Sequence, residues 1–133
     1  MIVVDTNIIA YLYLPNDYSD MAEELLVKNP DWNAPILWRS ELRNVLTHYL
    51  RKKILSFDQL YAIQTEAEKL LAGKEYQIDS YSVLREVEIS NNSAYDCEFI
   101  VLAKRLNTKL VTMDKKVLTS YPDIAINLTA ATL

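Results

Sequence analysis

Apolar residues occur along this chain in two patterns, as short continuous runs and as longer segments in which they recur every three or four positions. A short run is typical of a strand buried on both faces, and the longer spacing is typical of a helix with one buried side. The runs predict five strands, at residues 2–4, 32–35, 76–78, 110–113 and 124–126. The segments between them predict helices at residues 6–13, 19–28, 37 to about 53, 57–72, 80–89, 94–106 and 115–120, with 127–133 as a tail.

Strands that alternate with helices need crossover connections, which place successive strands in parallel and cover both faces of the sheet. The predicted fold class is therefore α/β, a three-layer α/β/α sandwich with a mainly parallel central sheet. No internal repeat, low-complexity tract or linker divides the 133 residues, so we expect a single domain over residues 1–133.

Polar residues predict the ends of several helices. Asp17 or Ser19 is expected to cap the helix that begins near residue 19. Gly73 is the only glycine in the chain. We therefore expect the pair Asn91 and Asn92 to take the left-handed turn conformations that glycine would otherwise supply.

Composition narrows the class of protein. A single cysteine allows no intramolecular disulfide, and the longest apolar run, residues 8–14, is far shorter than the roughly 20 residues that span a bilayer. The amino-terminal residues have neither a basic leader nor the apolar stretch of a signal peptide, so we expect a soluble, cytoplasmic protein. The net charge of −4 disfavours a nucleic-acid binder that uses its whole surface, although basic clusters within 39–53 and 104–116 leave room for a local positive rim.

Four acidic residues lie where a purely structural account would not place them. Asp5 and Asp114 each follow a predicted buried strand, and open α/β sheets carry their chemistry at the carboxyl ends of strands. Asp96 falls within the apolar side of the helix at 94–106. Glu41 lies at the edge of the apolar side of the helix from 37 to about 53. Taken together, the four carboxylates predict one site at one edge of the sheet.

Each acid also has an ordinary structural explanation. Asp5 and Asp114 could cap the helices that follow them, Asp96 could complement a helix dipole, and Glu41 could be a solvated helix residue. The joint pattern favours a shared site, because four independent coincidences are less plausible than one cluster. Hard oxygen donors without a companion His or Cys pair suit Mg²⁺ or Mn²⁺ and exclude the usual zinc arrangements.

The chemistry expected of such a site is metal-assisted attack of water on a phosphodiester. Nucleophilic catalysis by a side chain has little support, because the only histidine, His48, has no serine or cysteine partner at a strand end. We interpret His48 as a surface or rim residue and Cys97 as a packing residue.

Four segments in this order and spacing resemble a known family: IVVDTN at 2–7, RSELRNVL at 39–46, SAYDCEFIVLA at 93–103 and LVTMDK at 110–115. Together they resemble PIN-domain proteins of the VapC toxin type, over essentially the whole chain. The resemblance implies a Mg²⁺- or Mn²⁺-dependent endoribonuclease, a hydrolase that acts as the toxin of a type II toxin–antitoxin pair. It also implies an RNA substrate, a small antitoxin partner and a homodimer.

Carried onto this chain, the catalytic quartet of the family falls on Asp5, Glu41, Asp96 and Asp114. The resemblance implies that Asp5, Asp96 and Asp114 bind the metal, the first two as the main direct ligands. Two further positions match polar residues that help orient the acids: Asn7 and Thr112.

Three other functions stay open at this point. A non-catalytic module could keep the fold and bind RNA or a protein. An Mg²⁺-dependent phosphatase with an aspartate nucleophile resembles a pattern with a second Asp two residues on, where this chain has Asn7. A phosphoacceptor receiver domain should have paired acids after the first strand, whereas Asp5 is followed by Thr6.

Overall fold

A single parallel sheet of five strands lies at the centre of the computed structural model, which describes all 133 residues. The strands are β1 Ile2–Val4, β2 Trp32–Pro35, β3 Glu75–Tyr76, β4 Leu110–Val111 and β5 Ala125–Ile126. Their order across the sheet is β3-β2-β1-β4-β5, and every neighbouring pair is parallel. The first strand in the chain is therefore the central strand of the sheet.

Eight helices connect and flank these strands. They are α1 Thr6–Tyr13, α2 Ser19–Lys28, α3 Trp38–Arg51, α4 Phe57–Leu70, α5 Ser80–Ile89, α6 Ala94–Arg105, α7 Lys115–Ser120 and α8 Leu128–Ala131. Connections from β1 to β3 run toward one edge of the sheet, and the later connections run toward the other. Because such crossovers are right-handed, α1 to α4 and α5 to α7 cover opposite faces. The predicted three-layer α/β/α sandwich is confirmed.

The core is packed between the sheet and its two helical layers. Val3 and Val4 of β1 are fully buried, and α6 lies directly against β1, β2 and β4 with Ile100 and Leu102 fully buried. Burial on both faces explains why the strands appear in the sequence as continuous apolar runs rather than as alternating patterns. None of the helices is both long and apolar enough to span a membrane.

Two predictions about helix ends are wrong. The tail at 127–133 contains α8, because the Asn127 side chain accepts a hydrogen bond from the Ala130 N–H at 2.8 Å and starts a helical turn. The α2 helix has Tyr18 at its N-cap position and no side-chain cap, so neither Asp17 nor Ser19 caps it. Both exceptions concern the chemistry of a helix end, which apolar periodicity does not encode.

The left-handed positions are also different from those expected. Neither Asn91 nor Asn92 has a positive φ; the non-glycine residues that do are Lys53, at 58°, and Asn107, at 51°. These two residues lie just beyond the carboxyl ends of α3 and α6, where a left-handed residue commonly ends a helix. Gly73, at 77°, lies two residues beyond the C-cap of α4, in a turn that the Lys74 N–H closes by donating to the Leu71 carbonyl at 2.9 Å.

Candidate active site

All six residues singled out from the sequence line one pocket at the carboxyl edge of the sheet. The pocket has a volume of about 490 Å³ and includes Asp5, Asn7, Glu41, Asp96, Thr112 and Asp114. The rest of its lining consists of Thr6, Leu37, Ser40, Asn44, Val45, Tyr95, Phe99, Leu110 and Val117. The pocket therefore lies where β1 and β4 end and where α1, α3, α6 and α7 begin.

The two acids at the strand ends approach each other because β1 and β4 are adjacent. Val4 pairs with Val111, so the residues that follow them leave the sheet side by side. The Thr112 side chain, which is 1% exposed, donates a hydrogen bond to Asp5 Oδ2 and accepts one from the Asp114 N–H at 3.0 Å. One buried hydroxyl therefore links the two acidic segments.

Both strand-end acids also cap a helix. Asp5 Oδ1 accepts a hydrogen bond from the Ile8 N–H at 3.2 Å, and Asp114 Oδ1 accepts bonds from the N–H groups of Lys116 and Val117 at 2.9 and 3.1 Å. The structural explanation of these residues and their place in the pocket are thus both correct. Capping occupies Asp114 Oδ1 only, so its second oxygen accepts no hydrogen bond from the protein.

Glu41 is positioned by a residue that sequence reasoning missed. Thr6, buried in the first turn of α1, donates from Oγ1 to Glu41 Oε1 at 2.7 Å. This bond joins the start of α1 to the first turn of α3 and leaves Glu41 Oε2 without a hydrogen bond. The sequence signal that could have identified Thr6 is that a hydroxyl residue directly follows an acid at the end of a strand.

Asp96 lies in the first turn of α6, half-buried and on the pocket wall. Ser93 caps this helix, and its Oγ accepts a hydrogen bond from the Asp96 N–H at 3.0 Å. Asn7 is exposed at the pocket and its side chain makes no hydrogen bond to an acid, so its orienting role stays a prediction.

Two pocket residues on α3 also escaped the sequence reasoning. Ser40 and Asn44 flank Glu41 and line the pocket beside it. Glu41 and Asn44 are three positions apart and therefore face the same side of the helix. That spacing was the signal that could have identified Asn44.

Burial and like charge raise the pKa values of three acids in the pocket, Asp5, Glu41 and Asp96. Burial raises the pKa of Asp5 to about 6, against hydrogen bonds from Thr112 and the backbone that lower it. The pKa of Glu41 is raised by burial and then by the charge of Asp96, and the pKa of Asp96 is raised by burial and then by the charge of Asp114. The charge of Glu41 also raises the pKa of Asp5, so each of these three carboxylates is destabilised as an anion by another one.

No ion pair in the structure involves any of the four acids. The charge of Lys116 lowers the pKa of Asp96, but this effect is smaller than those of burial and of Asp114. Carboxylates that are desolvated and close to one another are stable as anions only when a cation or hydrogen-bond donors compensate them. The pocket is therefore electrostatically suited to a bound cation.

The donor set fits Mg²⁺ or Mn²⁺ in chemistry, because every candidate ligand is an oxygen. As placed, no three His, Cys, Asp or Glu side chains converge closely enough to hold an ion between them. Mg²⁺ is usually bound directly by one or two carboxylates and keeps several waters, so a magnesium site does not require three carboxylates to converge.

The other reactive side chains lie elsewhere. His48 is exposed on α3, and Cys97 is buried with its Sγ 3.8 Å from Ser90 Oγ; neither lines the pocket. The pocket therefore contains carboxylates, hydroxyls and amides but no histidine or thiol that could act as a nucleophile or base.

Comparison with known proteins gives the family. The family model of the PIN domain matches residues 2–122, and this chain belongs to the PIN-domain family. A relative, Ribonuclease VapC3 of Pyrobaculum aerophilum, is 26% identical over 126 residues, which cover 91% of this chain and 95% of that protein. The resemblance found in the sequence to VapC-type PIN proteins is thereby confirmed.

Two solved structures share the fold. FitAcB from Neisseria gonorrhoeae has a TM-score of 0.73 at 17% identity, covering 97% of this chain and 99% of that one. PAE2754 from Pyrobaculum aerophilum has a TM-score of 0.70 at 19% identity, covering 98% of this chain and 92% of that one. Both likenesses extend over nearly the whole chain.

Proposed function

We propose that this protein is a metal-dependent endoribonuclease that hydrolyses RNA phosphodiesters in the acidic pocket. The observation that carries the proposal is that carboxylates from four separate elements line one pocket and none of them has an ion-pair partner. Membership of the PIN-domain family and a relative named as a ribonuclease support the same activity.

In this proposal, Asp5 and Asp96 are the main ligands of Mg²⁺ or Mn²⁺, with Asp114 as the third metal-binding acid. A bound ion supplies Lewis acidity at the phosphate and lowers the pKa of water. The hydroxyl of Thr112 fixes the carboxylate of Asp5, which keeps one ligand in a single orientation. Capping of α7 fixes Asp114 in the same way.

Glu41 is the proposed group that orients the attacking water and accepts its proton. Thr6 holds Oε1, so Oε2 is free to face the water. Burial raises the pKa of Glu41, and a carboxylate with a raised pKa is a stronger base than one in open solvent. Its position in the first turn of α3 brings this base to the wall of the pocket.

The decisive experiment is cleavage of a mixed-sequence RNA by the purified protein with Mg²⁺ or Mn²⁺, and again with EDTA. We expect cleavage with the metals, none with EDTA, and a loss of at least about 100-fold in Asp5→Asn or Asp96→Asn, because removal of one electrostatic group from such a site has that order of effect. Circular dichroism would check that both variants are folded.

A matched control is Asp58→Asn, because Asp58 lies in the first turn of α4 as Asp96 lies in the first turn of α6, but outside the pocket. This variant should cleave RNA as the parent does. Cleavage retained in folded Asp5→Asn or Asp96→Asn would contradict the catalytic assignment. Binding of RNA with no cleavage under any metal condition would instead favour the non-catalytic module.

We further propose that the enzyme is a cytoplasmic toxin, a homodimer inhibited by a small antitoxin protein. The VapC name of the relative and the sequence resemblance support this role. Expression of the chain alone should stop growth of the host, and expression together with a short neighbouring reading frame should restore it. Arrest that persists in Asp96→Asn would contradict toxicity through RNA cleavage, and sedimentation of the purified chain as a monomer would contradict the dimer.

A further inference from the structure

Tyr95 presents an exposed aromatic ring beside the acids. It precedes Asp96 in the first turn of α6, is 63% exposed and lines the pocket. An exposed ring contributes little buried area to the fold, and at the edge of a pocket it is accessible to a bound substrate.

The ring of Tyr95 has no partner within the chain. The aromatic contacts of the structure join Tyr11 with Tyr18 and Phe57 with Tyr61. The two cations that lie over aromatic rings face Tyr81 and Tyr121. The hydroxyl of Tyr95 makes no hydrogen bond either, so no aromatic, cationic or hydrogen-bonding partner holds the ring.

The pocket contains more than an ion site needs. Leu37, Val45 and Phe99 give it apolar surface next to the carboxylates, while Asn44 adds an amide. Carboxylates and hydroxyls would suffice to bind a metal ion. A flat apolar group with polar edges, such as a nucleobase, matches apolar walls, an amide and a free aromatic ring.

We propose that Tyr95 is a substrate-binding residue, a platform on which a nucleobase next to the cleaved phosphate stacks; a base in that position has to be unpaired. This inference rests on the proposed function. The faces of a base inside a duplex are covered by its neighbours, whereas an unpaired base can be splayed out and stacked on an aromatic side chain. Tyr95 and Asp96 both line the pocket, so a base on the ring lies in the same pocket as the acids.

Stacking of this kind tolerates every base, because each has a π-face. Tyr95 is therefore a substrate-binding residue that selects for an unpaired strand rather than for a sequence. Loss of the ring should lower kcat/KM for all base compositions alike.

The test compares Tyr95→Ala, Tyr95→Phe and Tyr61→Ala on a 12-nucleotide mixed-sequence RNA, alone and annealed to its complement. Loss of stacking should reduce kcat/KM of Tyr95→Ala about 10-fold or more, chiefly through KM, whereas Tyr95→Phe keeps the ring and stays within about twofold of the parent. Tyr61 is 65% exposed and lies outside the pocket, so its removal should change nothing. The annealed RNA should be cut far more slowly than the single strand.

Three results would overturn the proposal: a Tyr95→Ala variant as efficient as the parent, a Tyr95→Phe variant as impaired as Tyr95→Ala, or equal cleavage of paired and unpaired RNA. A second measurement separates this proposal from the nuclease assignment. In the Asp5→Asn background, the fluorescence of an RNA that carries 2-aminopurine should be quenched on binding, and Tyr95→Ala should abolish the quenching. Quenching that does not depend on Tyr95 overturns the platform even if no RNA is cleaved.

Discussion

Several individual side chains in this protein both stabilise the fold and form part of the acidic pocket. Asp5 caps α1 through one oxygen and receives the Thr112 hydroxyl through the other, while its carboxylate lines the pocket. Thr6 is buried in the core side of α1 and still holds Glu41. A residue with two such functions cannot be classified from its position in one helix, because each of its atoms faces a different neighbour.

The raised pKa of Asp5 predicts how stability depends on pH in the metal-free protein. Its pKa is about 6 in the folded state against 3.8 as the ordinary value. As pH rises from about 4 to 6, the unfolded chain releases this proton before the folded one does, so the free energy of unfolding falls. Above pH 6 the charged Asp5 lowers the free energy of unfolding by its full amount, which is at most about 3 kcal/mol for a shift of this size.

The substitution Asp5→Asn should remove most of this dependence of stability on pH. Asparagine is also a good N-cap residue, so the cap of α1 is kept. Urea unfolding in EDTA at pH 4 to 8 would measure it, and the variant should be the more stable protein at pH 7. Some decrease of the free energy of unfolding with pH should remain in the variant, because burial also raises the pKa values of Glu41 and Asp96. A parent protein whose stability does not change between pH 4 and 6 would disprove this account.

Among the elements, α3 is held by a polar network at its amino-terminal end. Glu75 of β3 accepts hydrogen bonds from Trp38 Nε1 at 2.8 Å and from Arg39 Nε and Nη2, both at 2.6 Å. Arg39 also pairs with Glu68 of α4 at 3.1 Å. The network connects β3, α3 and α4 beside the turn that carries Glu41, so it fixes the direction in which that acid enters the pocket.

Glu75→Gln tests this anchoring. The Glu75 side chain is only 11% exposed, and hydrogen bonds from Arg39 lower its pKa. Because the pKa of Glu75 is lowered, the interaction stabilises the fold at pH values above the ordinary pKa of a glutamate. This stabilisation is lost as the pH falls through the pKa of Glu75 in the folded state. We expect the substitution to reduce the free energy of unfolding at pH 7 by about 1 to 3 kcal/mol, measured by urea denaturation.

Glu66→Gln provides the comparison, since Glu66 pairs with Lys69 on the surface of α4 and is 60% exposed. An exposed pair of this kind contributes about 0 to 1 kcal/mol, so the control should stay close to the parent. Equal effects of the two substitutions would show that the Glu75 network does not anchor α3.

At the scale of the whole molecule, the pocket links metal binding to stability. The ion would bind only the folded chain, because the acids come from four elements that are distant in sequence. Mn²⁺ at about 100 times its Kd should therefore add about 2.7 kcal/mol to the free energy of unfolding and raise Tm by roughly 5 to 10 °C.

Thermal melts of the parent, Asp96→Asn and Asp58→Asn with and without Mn²⁺ would measure this linkage. The shift should largely disappear in Asp96→Asn and persist in Asp58→Asn, which lies in the first turn of α4. A parent Tm that does not respond to Mn²⁺ would argue against an ion in the pocket.

The amino-acid sequence by itself determined all the elements except α8, the fold class and the edge of the sheet where the acids gather. Burial on both faces turns parallel strands into apolar runs, and parallel strands end at a common edge, so Asp5 and Asp114 could be placed together from their positions alone. The inward position of Asp96 followed from helical periodicity in the same way.

The tertiary structure alone decided which atoms meet within that site. The partners Thr6 and Glu41 are 35 positions apart, and Thr112 and Asp5 are 107 apart. Periodicity reports that a side of a helix or strand is buried, but it does not report the neighbour against which that side packs. For this reason the support of Glu41 by Thr6, the anchoring of α3 and the free ring of Tyr95 emerge only when the strands are ordered in the sheet and the helices are packed upon it.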